Sequence, residues 1–267
     1  MSSVESLLAG PARRGVQMTT LDDGTEVVVK SGEPSAIAAE AAGLRWLAEP
    51  GTVGVPSVLG EAEGRMVSTR VPEARADDAA AERFGRGLAA LHAAGAPAFG
   101  SPPPGGPVHA WIGEARMVNE TGADWPAWYA AHRVLPYARQ AFSGEDLALV
   151  ERACARFGDV AGPPEPPARL HGDLWTGNVL WVGDTAWVID PAAHGGHRET
   201  DLAMLALFGA PGLERILAAY DEAAPLANGW RDRVGLHQLF PLLVHTVLFG
   251  GGYGARALSV CERISRS

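Results

Sequence analysis

The sequence predicts an α+β protein of two lobes, a small β-rich N-terminal lobe over residues 1–72 and a larger, mostly helical C-terminal lobe over 73–267. Three observations carry this reading. Two hairpin-like alternations, turned at Asp23-Gly24 and at Glu63-Gly64, fall within the first 72 residues. Ala- and Leu-rich helical periodicity dominates after residue 77, and the change of pattern falls beside Pro72, which makes 69–73 the expected hinge. A chain of 267 residues is long enough to bury a substantial core.

Taken in order, residues 17–20 and 26–30 flank Leu21-Asp22-Asp23-Gly24, so Lys30 ends a strand. Ser35 is expected to cap a helix running through Glu40 and Leu44 to Leu47, stopped by Pro50-Gly51. Residues 58–60 and 65–71 read as a second hairpin. From 77 to 94, Phe84, Leu88 and Leu91 recur at helical spacing, and Gly95 ends the run. The Pro- and Gly-rich stretch 97–107 precludes regular structure, and helices resume over 125–141 and 145–157.

Composition excludes several functions. Lysine and arginine number 22 against 31 acidic residues, a net charge of −9, which argues against a surface built for nucleic acid or anionic lipid. The two cysteines, Cys154 and Cys261, have no metal-ligand spacing and suggest a reducing compartment. Residues 1–10 lack a basic stretch followed by an apolar one, and the apolar run 239–252 is short and interrupted by His245. A cytoplasmic protein without a membrane partner, monomeric rather than an obligate oligomer, is the expectation. Of the 22 basic residues only Lys30 is lysine. Either a surface lysine survived by chance, or position 30 requires a compact ammonium that a planar guanidinium cannot replace.

The most informative stretch is Leu170-His171-Gly172-Asp173-Leu174-Trp175-Thr176-Gly177-Asn178, a His-x-Asp with Asn five residues after the Asp. A hairpin turned at Gly183-Asp184 follows, then Asp190-Pro191. This order matches kinases, in which the loop Asp takes the acceptor hydroxyl proton while the Asn and the carboxylate after the hairpin hold Mg²⁺. Phosphoryl transfer depends on positioning and charge neutralisation, and Asn178 and Asp190 supply the hard oxygen ligands that a metal bridging phosphates requires. Asp173 is the candidate base. Lys30 would contact the α- and β-phosphates and pair with Glu40, and ATP would lie between the lobes against the hinge at Thr69 and Val71.

Residues 189–204, Ile189-Asp190-Pro191 through Gly196-His197-Arg198-Glu199-Thr200-Asp201-Leu202-Ala203-Met204, resemble the stretch that marks the fructosamine kinase (ketosamine-3-kinase) family. His171–Trp175 and the run from Leu236 to Tyr253 resemble the same family, so the likeness covers nearly the whole chain. More distantly, the His-Gly-Asp and Asp-Leu-Ala triplets resemble aminoglycoside and choline kinases. The resemblance implies a protein-kinase-like fold and ATP- and Mg²⁺-dependent phosphorylation of a sugar hydroxyl on a ketosamine of fructosamine or ribulosamine type. The product in this family breaks down, which implies deglycation. Two departures stand out: His237 replaces a usual tyrosine, and residues 10–20, where a phosphate-covering loop is expected, contain no Gly-x-Gly-x-x-Gly.

The resemblance assigns Asp201 to support of the catalytic loop through backbone N–H groups, with His171 in the same loop. Trp175 offers a flat wall to the sugar or packs beneath the loop. His197, Arg198 and Glu199 contact substrate or brace the segment after Asp190. His92, His109 and His132 read as ordinary surface or packing residues, and His237 and His245 as core histidines. Two rivals remain: an aminoglycoside or other small-molecule phosphotransferase, which needs extra carboxylates for a polycation, and a non-catalytic nucleotide-binding pseudokinase, which is expected to lack at least one of Lys30, Glu40, Asp173, Asn178 and Asp190.

Overall fold

The computed structural model describes residues 2–10, 14–72 and 78–266. Helix α1 (Val4–Leu8) is followed by strands β1 (Gly15–Thr20) and β2 (Glu26–Ser31), helix α2 (Pro34–Ala48), and strands β3 (Val58–Ala62) and β4 (Arg65–Thr69). The strands form an antiparallel sheet in the order β1-β2-β4-β3. Period-2 alternation decides what each face of β2 does. Val27 and Val29 are buried with Val67 beneath Val4, Leu7 and Leu8 of α1, so Val28 and Lys30 point to the opposite face. The stretch expected to hold a phosphate-covering loop is largely β1, and residues 11–13 lie outside the described residues.

Glu33, and not Ser35, caps α2. Its carboxylate accepts the Ala36 N–H at 2.9 Å, and Pro34 takes the first helical position, where its missing N–H is no loss. Ser35 sits one residue inside and accepts a hydrogen bond from Trp111 Nε1 at 2.9 Å. Of the expected hinge, Glu73 lies outside the described residues, while β4 ends at Thr69 and Arg70 still donates its N–H to Glu26 O of β2 at 3.0 Å.

The C-terminal region opens with α3 (Asp78–Ala93) and, beyond the proline loop, a hairpin of β5 (His109–Ile112) and β6 (Ala115–Val118) that the sequence reading did not anticipate. Helices α4 (Trp125–Tyr129), α5 (Leu135–Ala141), α6 (Gly144–Cys154) and α7 (Phe157–Val160) follow, with a π-helical turn at Ala130–Val134 between α4 and α5. Strands β7 (Ala168–Leu170), β8 (Val179–Val182), β9 (Thr185–Val188) and β10 (His194–Gly196) precede helices α8 (Glu199–Phe208), α9 (Leu213–Ala223), α10 (Trp230–Phe249) and α11 (Tyr253–Arg266). Pro241 interrupts α10, and the Tyr129 hydroxyl answers the gap: it lies 3.1 Å from the carbonyls of Leu236 and His237, the latter being the carbonyl that residue 241 would otherwise bond. Among the described residues no helix is long and apolar enough to cross a membrane.

Candidate active site

Two short antiparallel pairings position the motif loops. β7 pairs with β10, His194 opposite Leu170, and β8 pairs with β9, so the loop 171–178 leaves one pair and enters the other while Asp190 lies two residues beyond β9. Asp201, in the first turn of α8, accepts the backbone N–H groups of His171 at 2.8 Å and Gly172 at 3.0 Å. Burial alone would raise the Asp201 pKa, but His92 and the loop N–H groups hold it below its ordinary value. Gly172 adopts φ 82°, and a Cβ there would stand 2.2 Å from the Ala192 carbonyl, so only glycine fits where the two loops meet. His171 lies with Nε2 2.9 Å from Ile189 O and its Nδ1 3.3 Å from Asp173 N; burial keeps the ring neutral. It therefore ties the 171–178 loop to Ile189, the residue before Asp190.

Within this frame Asp173, Asn178 and Asp190 converge. Asn178 Nδ2 donates to Asp173 O at 2.8 Å and Asp173 Oδ2 at 3.2 Å. Burial pushes the Asp173 carboxyl up to about 7 against that hydrogen bond, with the charges of Asp201 and Asp190 adding to the rise. Asp190 holds φ 54°, a left-handed conformation that costs a non-glycine residue on the order of 1–3 kcal/mol. Lys30 reaches both carboxylates: Nζ lies 2.8 and 2.9 Å from the Glu40 oxygens and 2.8 Å from Asp190 Oδ1. Burial pulls the lysine pKa down, but Glu40 and Asp190 outweigh it and the ammonium stays charged.

Two hollows meet at these groups. A cavity of about 730 Å³ is lined by Lys30, Glu40, Asp173, Asn178 and Asp190 and by an aromatic set comprising Trp111, Trp175, Phe208, His245, Phe249 and Tyr253. A narrower cleft of about 330 Å³, walled by Val16, Val28, Leu44, Met66, Thr69, Val71, Leu180 and Ile189, shares Lys30, Glu40 and Asp190 with it. Thr69 and Val71 thus face the narrow cleft beside the expected hinge.

Trp175 lines the wide cavity with 38% of its surface exposed, and its ring lies across Gly177, where a Cβ would come within 2.2 Å. The trio after β10 does not line that cavity. His197 and Glu199 are buried, and Arg198 forks onto Glu165 at 2.6 and 2.8 Å, so their contacts are made within the protein. His197, Glu199 and His237 offer ligand atoms within 4.8 Å of one another, but Arg233 occupies both Glu199 oxygens at 2.6 and 2.9 Å, making the cluster an ion pair rather than a cation site.

Sequence reasoning missed three residues here. His92 is buried, with Nε2 3.2 Å from Asp201 and Nδ1 2.8 Å from the Tyr220 hydroxyl, a role that no local spacing signals. Trp111 comes from the unanticipated hairpin. His245, read as a core histidine, lines the cavity; its Nδ1 lies 2.7 Å from Pro241 O, which ties that nitrogen to its own helix.

The profile of the fructosamine kinase family matches residues 3–267, almost the entire chain. The chain belongs to the fructosamine kinase family. A probable ketoamine kinase of Synechocystis is 34% identical over 246 residues, 85% of this chain and 78% of that protein. A chloroplastic protein-ribulosamine 3-kinase of Arabidopsis thaliana is 30% identical over 243 residues, 86% of this chain and 72% of that one. A Thermobifida fusca crystal structure, described as that of a candidate fructosamine-3-kinase, superposes with TM-score 0.89 at 46% identity and covers 94% of this chain and 90% of its own. An aminoglycoside phosphotransferase superposes with TM-score 0.61 at 18% identity over 94% of each chain, which shows the shared kinase-like fold. This member of the fructosamine kinase family is thus α+β, with a small β-rich N-terminal region and a helical C-terminal one.

Proposed function

We propose that the chain is an ATP-dependent kinase that transfers the γ-phosphoryl group to a sugar hydroxyl of a small ketosamine, of fructosamine or ribulosamine type. The observation that carries the reading is the shared wall. Lys30, Glu40 and Asp190 stand between a narrow apolar cleft suited to a nucleotide base and a wide cavity that contains Asp173. The nucleotide's phosphates would meet Lys30, which Glu40 holds in place, and the acceptor hydroxyl would lie against Asp173. Asp173 accepts that hydroxyl's proton, and its raised pKa makes it a stronger base than an exposed carboxylate. Thr69 and Val71 would border the base.

Asn178 and Asp190 are the residues that would hold Mg²⁺, and the donor set fits. The hydrogen bonds from Asn178 Nδ2 to Asp173 fix the amide's orientation and leave Oδ1 free as a hard oxygen ligand, with the Asp190 carboxylate on the same cavity wall. A bound Mg²⁺ supplies neutralisation of the charge that accumulates on the transferred phosphoryl group. The relatives' names, ketoamine kinase and protein-ribulosamine 3-kinase, support the ketosamine acceptor. The cavity agrees: among the described residues, its carboxylates are Glu40, Asp173 and Asp190, all committed to the transfer machinery. None is left over for the several ammonium groups of an aminoglycoside. A non-catalytic nucleotide binder is disfavoured because Lys30, Glu40, Asp173, Asn178 and Asp190 are all present and assembled. Deglycation in the cytoplasm by a monomer is the setting this reading proposes.

The test is coupled ATP consumption across fructosamines, ribulosamines, kanamycin-type antibiotics and choline. A ketosamine should lead in kcat/KM by at least about tenfold. Equal or reversed preference would refute the acceptor assignment, and no turnover with any acceptor would refute the kinase.

A further inference from the structure

The wide cavity contains a polar group that the transfer machinery does not use. Asn119 follows β6, and its N–H is tied to Val108 O at 2.8 Å. The residue is 1% exposed yet lines the cavity. Its side-chain oxygen accepts from Arg133 Nη2 at 2.7 Å. A guanidinium offers donors only, so this contact settles which end of the amide is oxygen and leaves Nδ2 on the other side. That Nδ2 is buried and has no partner in the protein. A buried N–H₂ without an acceptor is destabilising, and the cavity is where an acceptor can enter.

Arg133 strengthens the argument. It is also 1% exposed, lies over the rings of Trp128 at 4.6 Å and Phe240 at 5.6 Å, and donates to the carbonyls of Val118 and His132. Among the described residues no carboxylate pairs with it, which is an unfavourable setting for a buried cation. It belongs to the π-helical turn between α4 and α5, a geometry that recurs at functional sites. The guanidinium locks the Asn119 amide in one orientation and polarises its N–H bonds toward an incoming oxygen.

We propose that Asn119 is a specificity-determining residue for the acceptor, its Nδ2 donating a hydrogen bond to a hydroxyl oxygen of the ketosamine carbon chain while Arg133 holds the amide. The inference rests on the ketosamine reading above and names how that acceptor is recognised. The test compares wild type, Asn119→Ala and Asn119→Thr; threonine keeps a side-chain oxygen for Arg133 but has no N–H₂, which guards against a fold lost to an unpaired Arg133. Fructosyl-glycine and its single-deoxy analogues are the probes, with thermal midpoint and KM for ATP as controls. Both variants should lose at least about tenfold in kcat/KM on fructosyl-glycine with the KM for ATP unchanged. One deoxy analogue should cost the wild type a similar factor and cost the variants nothing further, because its missing hydroxyl is the partner of Nδ2. Unchanged kcat/KM in the variants, or an equal loss on every analogue, would overturn the assignment while leaving the kinase intact. A wild type that neither binds nor turns over any ketosamine overturns the proposed function as well.

Discussion

Replacing Arg233 with methionine isolates a buried, forked ion pair in the C-terminal region. Arg233 forks onto Glu199 at 2.6 and 2.9 Å, and both side chains are less than a tenth exposed. Burial alone would raise the Glu199 pKa, but His237, Arg233 and His197 hold it at about 2, against 4.5 for an ordinary glutamate. That difference, at roughly 1.4 kcal/mol per pH unit, is worth about 3 kcal/mol of stability at neutral pH. Breaking a buried pair by removing one partner gives the same scale independently, about 3–5 kcal/mol. For a chain of this size the melting temperature should drop by on the order of 10 °C.

The pH dependence has a definite sign. In the wild type the Glu199 contribution is complete above pH 4.5 and fades as pH falls toward 2. His237 Nε2 lies 3.3 Å from Glu199 Oε2, and its pKa is lowered by burial first, with the Arg233 charge adding to the fall. Without Arg233 the imidazole pKa rises, so His237 takes up a proton at mildly acidic pH and partly replaces the missing cation. The gap between wild type and Arg233→Met, read by thermal and urea denaturation, should therefore be smaller at pH 5.5 than at pH 8. Adding Glu199→Leu should recover at least half of the loss, since two apolar groups leave no unpaired buried carboxylate. A variant within about 1 kcal/mol of wild type, or a gap that widens toward acid, would refute the account. The folded variant should keep its acceptor KM, because neither residue lines the cavity.

Asp173→Asn should bind nucleotide within a few-fold of wild type but turn over on the order of 10²-fold or more slowly, as single-turnover kinetics would show, because an amide cannot take the hydroxyl proton. Asp190→Asn retains a residue type that tolerates φ 54°, which alanine would resist, and removes only the charge; Mg²⁺ should then no longer tighten nucleotide binding in calorimetry, and a preserved Mg²⁺ effect would move the metal elsewhere. Lys30→Arg should be nearly as inactive as Lys30→Met, since a planar fork cannot sit 2.8 Å from both Glu40 and Asp190 as one point charge; an active arginine variant would make the lone lysine an accident.

What could be read from the sequence was what local spacing determines. Residues 171–190 carry the His-x-Asp loop, a hairpin and the following carboxylate within twenty positions, and the short hairpin keeps Asp173, Asn178 and Asp190 close. Lys30 and Glu40 come from separate elements, yet the absence of any other lysine made the first conspicuous and its helix partner a short step. The β5–β6 hairpin was legible in principle: Ala110, Ile112, Ala115 and Met117 are buried around a Gly113-Glu114 turn, a period-2 pattern obscured by the prolines before it. Pro34 likewise pointed to Glu33 as the cap of α2.

The buried charges were not legible, and the reason is physical. A sequence pattern assigns charged residues to water because desolvation is costly, and the exceptions are decided by partners that are distant in the chain. Glu199 finds Arg233 34 positions away, and Asp201 finds His92 109 positions away. Among the described residues Arg133 finds no carboxylate, only carbonyls, two rings and the Asn119 amide, so its burial follows from contacts that no window of sequence contains. The buried charges therefore gather at α8, which carries Glu199 and Asp201, and at the contact of Arg133 with Asn119 beside the wide cavity. Such conflicts between local preference and burial are settled by tertiary partners, and the Glu199–Arg233 pair ties fold stability to one of them.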